Sequence, residues 1–81
     1  MTTRADSTLQ ALEASLELLA PRGALAVTAY PGHQEGAREA AAVADYVHAL
    51  PADDFTVYCY GALNTRKPAP AVYLAQRTAE A

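Results

Sequence analysis

Ala24-Leu25-Ala26-Val27-Thr28-Ala29-Tyr30-Pro31-Gly32-His33-Gln34-Glu35-Gly36 is the stretch on which the fold turns. Its first seven residues form a short, continuous, mostly apolar run directly after Pro21-Arg22-Gly23. Such a run predicts a strand buried on both faces, as in a parallel sheet, because a half-exposed strand would alternate apolar with polar. Pro31-Gly32-His33 breaks it. From about Gln34 to Leu50 the chain is rich in Ala, Glu and Arg, which predicts a helix. A buried strand that passes through a glycine turn into a helix places its loop at the carboxyl edge of a sheet. Open α/β folds bind their ligands there.

Upstream, Leu9, Leu12, Leu16 and Leu19 recur at three- and four-residue spacing, with Leu18 broadening the stripe. Ser7 with Gln10 has the form of a capping box, and Asp6 adds negative charge near the positive helix end. The spacing predicts a helix over 7–20, stopped by Pro21-Arg22-Gly23. Downstream, the second helix has a thinner apolar face of Ala40, Val43, Val47 and Leu50, and ends at Pro51. Phe55-Thr56-Val57-Tyr58-Cys59-Tyr60 is β-branched and aromatic, which predicts a strand. Residues 61–70 read as a loop, and residues 71–75 as a last strand followed by a polar tail. The order is α-β-α-β-β. The fold class expected is α/β, with a parallel sheet from the helix–strand alternation and an antiparallel hairpin at the end. Such a unit leaves the 24–30 strand with an unpaired edge.

Composition narrows the function. Six Lys and Arg against nine Asp and Glu give a net charge of −3. That excludes a polybasic module working by bulk charge. Hydrophobic residues make up 52% of the 81, too many for a disordered tail, although alanine inflates the figure. No apolar run approaches the ~18 residues of a membrane span, and residues 1–10 lack the apolar core of a secretory signal, so the expected compartment is the cytosol. The one cysteine, Cys59, forms neither an internal disulfide nor a metal cluster. No metal site is expected. An 81-residue chain has only about 4–12 kcal/mol of stability to lose.

Two stretches carry candidate chemistry. In Tyr30–Gly36, Gly32 permits a tight turn, His33 offers a proton-transfer group, and the following helix amides suit a phosphate. A plain strand–helix turn with a solvent-facing histidine fits the same spacing. In residues 64–70, Asn64 offers an amide, while Arg66 and Lys67 could meet a phosphate backbone; a mobile polar loop fits too. Tyr58, Tyr60 and Tyr73 read as cross-strand packing, or one of them could receive a base. His48 reads as structural at a helix end, Cys59 as a buried, inert thiol, and Glu35, Glu39 and Asp45 as solvated helix charges. No G-x-G-x-x-G, P-loop, Ser-His-Asp or Cys-His pattern is legible.

The chain from Ser7-Thr8-Leu9 through Pro21-Arg22-Gly23, Tyr30-Pro31-Gly32-His33-Gln34-Glu35-Gly36, Tyr60 and Asn64 to Pro68-Ala69-Pro70 resembles one family over about residues 3–77. It looks like the C-terminal half of the YtqB-like (MnmM) rRNA methylases, class I S-adenosylmethionine-dependent methyltransferases. Characterised members of that family methylate the aminomethyl group of a modified wobble uridine in tRNA. The resemblance implies a partial Rossmann-like methyltransferase sheet. Its fifth, sixth and seventh strands would lie in this chain, with the last strand antiparallel and inserted between its neighbours. It implies Tyr30, Gly32 and Asn64 at the substrate. His33 would be the catalytic group, orienting or deprotonating the amine before it attacks the sulfonium methyl. The family's cofactor glycine motif and ribose-binding acid belong to its N-terminal half, so S-adenosylmethionine is not expected to bind this chain alone. Two departures fall in the hairpin: Ala62-Leu63 replaces an aromatic, and the double proline is split by Ala69.

Two expectations follow. Residues 1–81 form a single partial domain of a tRNA or rRNA methyltransferase, inactive alone and needing its missing N-terminal half. Alternatively, they form a catalytically inactive α/β interaction module that dimerises with a second copy through its exposed strand edge.

Overall fold

The computed structural model describes residues 4–32 and 34–79. Its elements are α1 (Arg4–Glu17), β1 (Ala24–Ala29), α2 (Gln34–His48), β2 (Phe55–Gly61) and β3 (Ala71–Arg77). The order α-β-α-β-β holds. The sheet runs β1-β3-β2, with β3 antiparallel to both neighbours. β1 and β2 therefore point the same way without touching, and the last strand is inserted between them rather than added at an edge. No described strand pairs with the outer edge of β1.

The pairing register sorts side chains between two faces. Leu25, Val27 and Ala29 of β1 align through Ala75, Tyr73 and Ala71 with Val57, Cys59 and Gly61 of β2. Both helices cover this face. The buried core is Leu12 and Leu16 of α1, Val43 and Val47 of α2, Ala29 and Ala75. The opposite face is bare, so β1 is exposed at Ala24, Ala26 and Thr28 and covered at alternate positions. The expectation of burial on both faces fails for that reason. The molecule measures 40 × 36 × 16 Å, one sheet under one helix layer. Its radius of gyration, 13.2 Å, exceeds the roughly 11.7 Å of a closed globule this long.

α1 lies three residues earlier than its leucine spacing suggests. Ser7 sits inside the helix, so it does not cap it, and Leu18 is 86% exposed rather than part of the apolar stripe. A remote contact caps this end. Arg77, the last residue of β3, donates from its guanidinium to the Leu16 carbonyl at 2.5 Å. The same guanidinium stands 4.9 Å from the centre of the Phe55 ring, its partner across the sheet. A cation thus caps the negative end of α1 and lies over an aromatic face.

The chain then turns through Ala20-Pro21-Arg22-Gly23, closed by Gly23 N–H donating to the Ala20 carbonyl at 2.8 Å. Arg22 takes φ 68°, so proline and a left-handed residue hold the two central places of a type II turn. Gly23 is needed for room instead, since a Cβ there would stand 2.9 Å from the Ala20 oxygen. A side chain at positive φ costs about 1–2 kcal/mol, partly offset by the freer unfolded chain that glycine brings. Arg22→Gly is therefore expected to stabilise the protein by about 0.5 kcal/mol. A urea midpoint that moves down would show that the turn holds no such strain.

α1 and α2 are joined at Glu39, which accepts from the Thr8 hydroxyl at 3.0 Å and pairs with Arg4 at 3.2 Å. Glu39 is thus a half-buried tie between helices, not the solvated charge its spacing suggests. Tyr46 of α2 is half-buried. Burial first, then the charges of Glu13 and Glu17 on α1, hold its hydroxyl above the ordinary phenol pKa.

Candidate functional site

Because β1 and β2 run parallel, their carboxyl ends meet at one rim of the sheet. Ala29, Ala71 and Gly61 stand in a row across it. Tyr30-Pro31-Gly32 leaves this rim from β1, and residues 62–70 leave it from β2, about 10 Å away by two strand spacings. The fold thereby brings Tyr30, Gly32 and Asn64 to one edge from positions more than thirty residues apart.

Tyr30 is 64% exposed. Gly32 does not have positive φ, and nothing lies within 4 Å of where its Cβ would be. The turn therefore does not need glycine for its backbone, contrary to the sequence reading; what glycine leaves there is open space. His33 lies outside the described residues. α2 begins at Gln34 with Glu35 in its first turn, which already sets a carboxylate at the positive helix end. Asn64 is exposed in the β2–β3 loop. Beside it Thr65 folds the loop locally: its hydroxyl donates to the Lys67 carbonyl at 2.9 Å and accepts from the Lys67 amide at 3.3 Å. Arg66 and Lys67 are exposed there.

Other candidates are placed away from the rim. His48 lies in the last turn of α2, with Nδ1 hydrogen-bonded to the Ala44 carbonyl at 2.7 Å, a structural role. Cys59 is exposed, not buried. The layer that would cover its strand position does not extend over β2. Both line a groove of about 330 Å³ between the end of α2 and β2, with Val47, Phe55, Val57 and Tyr73. A second groove, about 240 Å³, follows the outer edge of β1, between Thr8, Leu12 and Ser15 of α1 and Leu25, Ala26 and Val27. Tyr58 and Tyr60 face the bare side of the sheet and Tyr73 the helices, so the three do not stack together. Among the described residues no three His, Cys, Asp or Glu gather, and no helix is long and apolar enough to cross a membrane.

The sequence model of the family described as "Putative rRNA methylase" matches residues 1–76. The chain belongs to this family. Solved methyltransferases share its architecture. A putative methyltransferase from Streptococcus mutans in complex with SAH superposes with a TM-score of 0.82 at 31% identity, over 93% of this chain and 41% of that one. A putative rRNA methylase from Clostridium thermocellum gives 0.87 at 26% identity, over 95% and 41%. An rRNA methylase from Streptococcus thermophilus gives 0.78 at 29%, over 93% and 42%. This rRNA methylase family chain thus spans about two fifths of the length of the solved structures it matches. The inserted antiparallel strand and the α/β order agree with those methyltransferase folds.

The SAH complex supports S-adenosylmethionine use in the family. The described residues of this chain do not themselves fit that cofactor. Its ribose and amino acid portions ask for a carboxylate at a strand end and a glycine-rich turn after a strand. Of the four glycines, Gly23 serves the α1–β1 turn, Gly36 lies in α2, Gly61 ends β2, and Gly32 stands alone at the rim. Among the described residues no carboxylate stands at the carboxyl end of β1 or β2.

Proposed function

We propose that residues 1–81 are one partial domain, the C-terminal half of a cytosolic S-adenosylmethionine-dependent RNA methyltransferase. They would supply its substrate side and act on the aminomethyl group of a tRNA wobble uridine or on rRNA. The observation that carries this reading is the rim. Two loops bearing Tyr30, Gly32 and Asn64 converge at the carboxyl edge of a sheet whose fold superposes on a methyltransferase in complex with SAH.

Tyr30 and Asn64 would hold the substrate, and the space over Gly32 would admit it. His33, bonded to Gly32 and Gln34, would take the proton that the substrate amine must lose to become a nucleophile. The methyl donor is left to the N-terminal half of the fold, which would pair with the outer edge of β1 over the groove beside α1. That same open edge supports a second reading, an inactive module in which another copy of the chain occupies the edge.

Tritiated S-adenosylmethionine and total RNA separate the two. Mixed with a cofactor-binding half encoded immediately upstream, the chain is expected to transfer label to RNA, while neither part does so alone. By calorimetry the isolated chain should bind no S-adenosylmethionine. Absence of transfer together with a stable dimer in sedimentation would replace the methyltransferase reading with the second one.

A further inference from the structure

The β2–β3 loop, residues 62–70, leaves the carboxyl rim at Gly61 and returns to it at Ala71. It holds two of the chain's six Lys and Arg, Arg66 and Lys67, and none of its nine Asp and Glu. The carboxylates of the described residues all stand on α1, α2 or the turn between α2 and β2. That turn feeds the amino end of β2, so it lies at the opposite end of the sheet. Among the described residues neither Arg66 nor Lys67 has a carboxylate partner. An acidic chain has thus put two adjacent cations in the loop that carries Asn64. The loop also stands away from the edge of β1 where the N-terminal half would pair. Gly61 is two strand spacings from that strand, about 10 Å.

Thr65 sets the position of these cations. Its hydroxyl bonds both the carbonyl and the amide of Lys67, and Pro68 and Pro70 fix two of the next three φ angles. Charges on a turn stiffened in this way lose less freedom when they meet an anion. No residue of the loop has positive φ, so its backbone does not form the amide nest that cradles a lone phosphate. Charge is delivered by side chains alone. That is how a chain of phosphates is gripped, Arg forking onto one oxygen pair and Lys acting as a point charge.

We infer that Arg66 and Lys67 are the backbone grip for the RNA substrate, binding the phosphates beside the nucleotide that enters between Asn64 and Tyr30. The inference rests on the RNA methyltransferase reading above. Asn64 stands two residues before Arg66, so the phosphates in reach are those flanking the target rather than distant ones. The grip supplies affinity and register. It carries no information about base identity, which is left to the rim.

The test is fluorescence anisotropy of a labelled RNA hairpin with a uridine loop, titrated with the full 81-residue chain. Wild type should bind, with affinity falling steeply as salt rises. R66Q/K67Q should flatten the slope of log affinity against log salt by about 1.5, so its deficit narrows roughly eightfold between about 50 and 200 mM salt. Arg22→Gln, at the opposite end of the sheet, removes as much charge as Lys67→Gln but should leave the slope unchanged. T65V keeps both charges and frees the turn, so binding should weaken about threefold at an unaltered slope. Unchanged circular dichroism shows that the variants fold. No binding by wild type, equal slopes for wild type and R66Q/K67Q, or equal losses from Arg22→Gln and Lys67→Gln overturns the grip. So does displacement of the RNA by millimolar inorganic phosphate at constant ionic strength, which would make the loop a site for a single phosphate. Binding that depends on Arg66 and Lys67 without methyl transfer in the reconstituted pair would sustain the grip and remove the methyltransferase reading. Transfer with a KM that R66Q/K67Q leaves unchanged would do the reverse.

Discussion

Arg77→Met is expected to cost about 2–4 kcal/mol, a large share of the about 4–12 kcal/mol that a chain this short has to lose. Three contributions disappear together. The charged hydrogen bond to the Leu16 carbonyl is worth about 1.5–3 kcal/mol. The cation over Phe55 adds roughly 0.5–2. The favourable charge at the α1 terminus adds some tenths more, less than their sum because all three share one group. Methionine keeps the apolar stem, so the loss reports the guanidinium rather than packing. Arg77→Lys should recover part of it, since an ammonium can reach the carbonyl but stacks less well on the ring. The measurement is the urea midpoint of the three proteins. If Arg77→Met unfolds within about 0.5 kcal/mol of wild type, α1 is held by its leucines alone.

That contact also explains what the sequence could not say about α1. Leucine spacing announces a helix and the face it buries, and Leu12 and Leu16 are indeed core. It does not say where the helix stops. Arg77, 61 residues from Leu16, caps that end, and a polar residue in a tail gives no sign of what it will cap. Similarly, residues 71–75 read as a strand from their own composition. Gln76 and Arg77 join β3 through partners on neighbouring strands, Gln76 between Thr56 and Ala24 and Arg77 beside Phe55. Strand existence is local; strand order and length are not.

β1 misleads for a different reason. Ala24, Ala26 and Thr28 on the bare face are small enough to read as a two-sided core strand, while Leu25 and Val27 carry the covered side. Periodicity cannot tell a small exposed residue from a small buried one. Exposure of Cys59 follows similarly, because the helix layer ends before β2. At the candidate site, the strand–turn–helix pattern singled out Tyr30 and Gly32, and the hairpin loop singled out Asn64. Their shared rim was legible only through the family resemblance, since it requires β3 to be inserted so that β1 and β2 end together.

Under the proposed function, with the chain paired to a cofactor-binding half, His33→Ala is expected to lower kcat at least about a hundredfold, the scale of a lost general base. Thermal stability should hardly move. Removal of a packing residue would lower both, so the split between kcat and melting temperature identifies the role. His33→Gln separates two roles, because glutamine can orient the amine by hydrogen bonding but cannot take its proton. Retention of kcat by glutamine with loss in alanine would make His33 a positioning residue. Retention by alanine would reduce the rim to Tyr30, Gly32 and Asn64, with the amine deprotonated by a group outside this chain or by water before it binds.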